Sequence, residues 1–201
     1  MLKLYYTHRP GAECAELIER LPAWRQENLS RLKNESARRA SLGAGLLWRR
    51  VMEENGLDPF QPVRRLEAGK PVFNRGEHWF SLSHSGELCL CALADASVGA
   101  DVQQVQTVKL SIARRFCPAE REWLLSRPED EQNGALMALW ARKEAWVKAM
   151  SEERFVALDE YDVTAGGPWT FSDFRIEGCY AAVCGRETAE APQLIEIDQM
   201  K

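Results

Sequence analysis

The chain has 201 residues and carries 30 acidic and 26 basic side chains, for a formal charge of −4. That length suits one large domain or two of about 100 residues each, with enough apolar side chains for a core that needs no disulfide or structural metal. The charge gives no global case for nucleic-acid binding. No apolar run reaches the roughly 18–20 residues of a membrane span, and the start MLKLYYTHRP has no signal-peptide plan, so a membrane or secreted protein is not expected.

LKLYY (2–6) reads as an opening strand, and residues 12–21 as a short helix ending near Pro22. From Trp24 to Asn55, Leu29, Leu32, Leu42, Leu46, Leu47 and Val51 recur at three- and four-residue steps, which is helical spacing. Gly43 and Gly45 mark a break or a close packing contact, and Gly56 a stop. This stretch concentrates Arg20, Arg25, Arg31, Lys33, Arg38, Arg39, Arg49 and Arg50. It is either a solvated helix face or a surface for a small polyanion or an acidic protein. An irregular segment broken by Pro59, Pro62, Gly69 and Pro71 follows.

Phe80, Leu82 and His84 then alternate with Ser81 and Ser83, at strand period. LCLCALAD and SVGADV (97–102) read as two further strands, giving an expected β-meander. SIARRF suggests a helix, and Pro118 a helix start. A longer helix is expected over about 131–150, with an apolar stripe of Leu136, Leu139, Trp140, Val147 and Met150. EYDVTA, WTFSDF and GCYAAVCG read as closing strands. The plan is α+β: helices then strands, twice over. The six cysteines form no CxxC pair, and most read as small core residues in a reducing cytoplasm.

Three polar islands stand in apolar surroundings. In Gly69-Lys70-Pro71 the lysine is a loop residue or is presented by the stiff proline to a phosphate. In Ser83-His84-Ser85-Gly86 the histidine is a hydrogen-bonded structural residue or a functional one. No G-x-S-x-G, P-loop or G-x-G-x-x-G motif is present. In the third, Asp101 ends an apolar strand, and Trp140, Glu144 and Lys148 lie near one face of a helix. Glu144 and Lys148 form either an exposed ion pair or, with Asp101, a hard-cation site.

GKP, F-S-L-S-H-S-G, G-A-D-V, F-x-x-x-E and W-x-x-K-E-A-x-x-K, in this order over about Arg31 to Lys148, resemble the 4′-phosphopantetheinyl transferases of the Sfp type. The resemblance implies two similar α/β halves about a pseudo-twofold axis, divided here as 1–101 and 102–201, with coenzyme A between them. It implies Mg²⁺-dependent transfer of the phosphopantetheine arm of coenzyme A to a serine of an apo acyl or peptidyl carrier protein, releasing adenosine 3′,5′-bisphosphate. The implied enzyme is cytoplasmic and monomeric. By motif, Asp101 and Glu144 are the implied metal ligands. Lys143 and Lys148 neutralise the phosphates, with Lys148 steadying the transition state. His84 contacts the 3′-phosphate region and Ser83 the adenine side, Lys70 and Pro71 line the nucleotide site, and Arg39 reaches the phosphates, a role that Arg31 and Lys33 also fit. Many relatives carry Glu two residues after the strand aspartate. Here Gln103 stands there, a poorer Mg²⁺ ligand whose place a water is expected to take. That departure leaves a catalytically weak CoA-binding protein as the alternative, and an interaction domain as the remaining class.

Overall fold

A computed structural model describes residues 1–151, 153–186 and 192–198. The chain opens with β1 (Leu2–His8), α1 (Ala15–Glu19), α2 (Ala23–Ser30) and α3 (Glu35–Glu54). The helical pattern breaks between α2 and α3, not at the glycines. Asn34 starts α3 by accepting the Ala37 N–H at 2.9 Å, the N-cap bond that satisfies an otherwise orphaned amide. Gly43 lies within the continuous helix because a Cβ there would come within 2.9 Å of the Arg9 Cα and 2.8 Å of the Cys89 Sγ.

The irregular segment contains a small hairpin, β2 (Val63–Arg65) with β3 (Pro71–Phe73). Then come β4 (Trp79–Ser85), β5 (Leu88–Ala94) and β6 (Val98–Gln104). A 3₁₀ turn (Leu110–Arg115), α4 (Pro118–Leu125) and α5 (Glu129–Met150) follow, and β7 (Trp169–Ile176), β8 (Cys179–Arg186) and β9 (Gln193–Glu196) close the described chain.

The expected meander is only half right. β4 and β5 form a hairpin in a sheet of order β4-β5-β1-β9, whereas β6 leaves it for a second sheet of order β6-β8-β7. A division at 101 therefore cuts through a strand of the second sheet, and β9 returns to the first by pairing parallel with β1. EYDVTA is not a strand. It is a turn segment that buries Val163.

Alternation explains the layers. Leu88, Leu90 and Ala92 of β5 point toward Val98, Ala100 and Val102 of β6 and Ala181 and Val183 of β8, making an apolar layer between the sheets. Cys89, Cys91 and Leu93 point the other way, onto Leu47, Trp48 and Val51 of α3. Ala182 and Cys184 face α5. The order is thus α3, first sheet, second sheet, α5, which is why β5 is apolar at every position: both its faces are covered. The edge strands β4 and β6 of the two sheets meet along one side. Among the described residues, no helix is long and apolar enough to cross a membrane.

Candidate active site

The seam between β4 and β6 is held by side chains instead of a backbone ladder. Ser81 Oγ accepts the Ala100 N–H at 2.9 Å, Ser85 Oγ accepts the Gln104 N–H at 3.0 Å, and Ser83 Oγ donates to Asp101 Oδ1 at 2.6 Å. The period-2 serines of F-S-L-S-H-S thus all face the neighbouring sheet edge.

On β6 the residues alternate between the layer separating the sheets and α5. Gly99 and Asp101 both look toward α5. A Cβ at Gly99 would fall 1.8 Å from the Ala145 carbonyl oxygen, so the helix crosses the strand at a distance that only glycine permits. This crossing lowers the next turn of α5 onto Asp101. Lys148 Nζ donates to Asp101 Oδ1 at 2.6 Å and to the Ala100 carbonyl at 3.0 Å. Asp101 is only 4% exposed, and its other oxygen, Oδ2, accepts from Gln103 Nε2 at 2.6 Å. A buried carboxylate in an apolar setting needs such partners, and here three donors supply them.

Glu144 lies one helical turn before Lys148 and is half-buried. Burial raises its carboxyl above the ordinary range, and the negative charge of Asp101 adds to the rise; Lys148 and Arg115 offset part of it. Glu144 and Lys148 line a cleft of about 280 Å³ together with Lys70, Pro71, Ser81 and Leu82. Lys70 is buried and donates to the Val98 carbonyl at 2.8 Å, which ties the GKP loop to the start of β6.

A second recess, about 470 Å³, lies at the other end of β4, with His84, Gly86, Arg9, Ser36 and Glu87 on its walls. The His84 imidazole is held below its usual range by partial desolvation, then by the cations Arg25 and Lys148. Arg39 donates through Nε to the Pro10 carbonyl at 3.1 Å, and its guanidinium comes within 4.0 Å of Glu87. The two recesses therefore flank Asp101 and Lys148 along one strand.

Two assignments change. Lys143 does not face either recess. It is wholly buried and pairs with Glu120 at 2.7 Å, while also donating to the Tyr161 carbonyl, so its charge is consumed inside the second half. Adjacent residues on a helix point about 100° apart, which separates Lys143 from Glu144. The glutamate of the F-x-x-x-E segment is this same Glu120, which also accepts the Cys117 and Val163 N–H groups. Ser83 is likewise buried, and its hydroxyl donates to Asp101 Oδ1. Arg31 pairs with Glu27 along the outside of α2. Arg9 and Arg115 escaped the sequence reading. Neither sits in a periodic or motif pattern, and only the tertiary fold brings them to His84 and Glu144.

The model of the 4′-phosphopantetheinyl transferase superfamily matches residues 97–189, the stretch that contains β6, α5 and β8. The 4′-phosphopantetheinyl transferase psf-1 of Bacillus pumilus is 38% identical over 172 residues, covering 77% of this chain and 74% of that protein. The 4′-phosphopantetheinyl transferase AcpT of Salmonella typhimurium is 31% identical over 156 residues, covering 75% and 78%. The 4′-phosphopantetheinyl transferase Sfp of Bacillus subtilis is 31% identical over 133 residues, covering 64% and 59%.

Proposed function

The chain belongs to the 4′-phosphopantetheinyl transferase superfamily, and from this premise we propose that it moves the phosphopantetheine arm of coenzyme A onto a serine of an apo acyl or peptidyl carrier protein, with Mg²⁺ as cofactor and adenosine 3′,5′-bisphosphate as the product released. The observation that carries the reading is the convergence of Asp101, Glu144 and Lys148 where α5 crosses β6.

The donor set fits a hard divalent cation. Two carboxylates are close enough for the charge of one to raise the pKa of the other, a repulsion that a cation relieves, and both offer oxygen. Asp101 and Glu144 would hold the ion. Bound there, Mg²⁺ would neutralise charge on the pyrophosphate oxygens of coenzyme A.

The chain's own groups do the rest. Lys148, anchored on Asp101, keeps an ammonium beside the carboxylates, where it stabilises negative charge developing on the phosphates. Glu144, half-buried one helical turn before Lys148, accepts the hydroxyl proton of the carrier serine. The serine oxygen bonds to the β-phosphorus, and the bond from that phosphorus to the bridging oxygen breaks. The electron pair leaves with adenosine 3′,5′-bisphosphate. Lys70 and Pro71 on one side, and His84 and Arg39 on the other, are the residues we assign to hold the nucleotide and its phosphates. Both flanks come from one chain, so we assign activity to the monomer. Six free cysteines suit a reducing compartment, and we assign the reaction to the cytoplasm.

The test is transfer of a fluorescent phosphopantetheine from labelled coenzyme A to a panel of apo carrier proteins. Asp101→Asn and Glu144→Gln should each cost at least about 100-fold in rate while the melting curves remain cooperative. Wild-type rates in both variants would remove the carboxylates from the mechanism.

A further inference from the structure

Asp101 offers a cation less than its charge suggests. Oδ1 already accepts from Ser83 and from Lys148, each at 2.6 Å, which fills both of its lone-pair directions. That leaves Oδ2 for a cation, and there the Gln103 amide donates at 2.6 Å. The contact requires the NH₂ end of the amide to face the carboxylate, because the oxygen end would be repelled. Gln103 sits two residues along β6 from Asp101, so both side chains project from the same face of the strand.

We infer that Gln103 masks the metal-facing oxygen of Asp101, so that its amide must leave Oδ2 before a divalent cation can be held tightly. The inference rests on the reading of Asp101 as a metal ligand given above. The positive end of an N–H dipole aimed at the ion's seat opposes the ion directly. A hydrogen bond from an amide to a buried carboxylate is among the stronger ones in a protein, and it has to be given up. The amide oxygen can turn toward the ion afterwards. That returns little, because Mg²⁺ keeps several waters and a neutral oxygen replaces one of them almost evenly. A glutamate at 103 would act oppositely. It cannot donate to Oδ2, and it adds a third negative charge whose repulsion a cation relieves. Residue 103 therefore sets how much divalent cation the enzyme needs before it can work.

The test reads binding and not turnover. Mn²⁺, whose free form is counted by electron paramagnetic resonance, is titrated into the full chain with coenzyme A present and carrier absent. Gln103→Ala should bind Mn²⁺ about tenfold more tightly than wild type, and Gln103→Glu more tightly still. Melting in a chelator shows that the variants are folded, and Gln103→Glu should melt below wild type without metal and recover with it. Equal or weaker Mn²⁺ binding by Gln103→Ala overturns the mask, since the amide would then be a bystander or a ligand. Asp101→Asn separates the two levels of the argument. If it binds Mn²⁺ as wild type does, the assignment of Asp101 to the metal fails; if it loses Mn²⁺ while Gln103→Ala gains nothing, only the masking role fails.

Discussion

Two lysines of α5 show how position along one helix sets a side chain's surroundings. Lys148 keeps part of its surface in solvent and reaches Asp101 across the strand, whereas Lys143 is completely enclosed with Glu120. Breaking a buried pair leaves an uncompensated charge, and this costs far more than the pair itself contributes. Lys143→Met should therefore destabilise the protein by about 3–5 kcal/mol, read as a large drop in melting temperature, with transfer impaired only in proportion to unfolding. Lys148→Met leaves buried Asp101 with the Ser83 and Gln103 donors, so it should cost less stability than Lys143→Met and show a severe loss of transfer in the fraction that stays folded. Similar losses of transfer with unchanged melting in both would restore Lys143 to the site. The W-x-x-K-E-A-x-x-K spacing identifies which residues share a helix, but the partner of each lysine lies in an element distant in the chain. Glu120 is 23 residues before Lys143, and Asp101 is 47 before Lys148. No local pattern tells the two lysines apart.

At the level of elements, the strand carrying Asp101 and the helix carrying Glu144 were legible, the strand from its apolar run and the helix from Leu136, Leu139, Trp140, Val147 and Met150 at helical steps. What was not legible was the company each keeps. SVGADV follows the β4–β5 hairpin in sequence and reads as its third strand, but it pairs with β8, some 80 residues later. Gly99 carries the missing information in a form that has meaning only in three dimensions. A methyl at this position would overlap the Ala145 carbonyl, which is backbone and cannot swing aside, unlike the Tyr180 hydroxyl that faces Gly134. Gly99→Ala should push α5 outward, at about 1–3 kcal/mol of overpacking, and should stretch the 2.6 Å contact between Lys148 and Asp101. Because misplacing reacting groups by about 1 Å costs on the order of 100-fold in rate, transfer should fall by far more than stability does. A melting scan and the carrier assay on the same sample check this; intact transfer would mean that the crossing has slack. Gly43 teaches the converse lesson. Of the break or close packing contact that it marks in the sequence, the close contact is the outcome: the near approach to Cys89 and Arg9 that it allows lets α3 lie against the sheet.

For the whole molecule, the basic N-terminal stretch takes a different meaning from the one its composition suggests. Arg38 pairs with Glu13, Arg49 with Glu53, and Arg50 with Glu54, while Arg25 is buried against the Ser41 carbonyl; most of the excess is matched inside the fold. The acidic partners Glu13, Glu53 and Glu54 lie just outside residues 20–50, so counting charges within that stretch overstates the field it produces. Long-range pairing joins the ends of the described chain. β9 lies parallel to β1, Thr7 Oγ1 donates to the Ile197 carbonyl at 2.7 Å, and the Ile197 side chain packs into the layer between α3 and the first sheet with Tyr5 and Phe80. The first sheet, and with it the β4 edge that presents Ser83 to Asp101, is thus completed by residues almost 200 positions from its first strand. Ile197→Ala removes three carbons from a nearly closed site, which should cost about 2 kcal/mol and lower the melting temperature by roughly 4–8 °C. Transfer measured well below that temperature should stay close to wild type, because β9 lies at the edge of the sheet opposite β4. An unchanged melting temperature would mean that β9 does not close the first sheet.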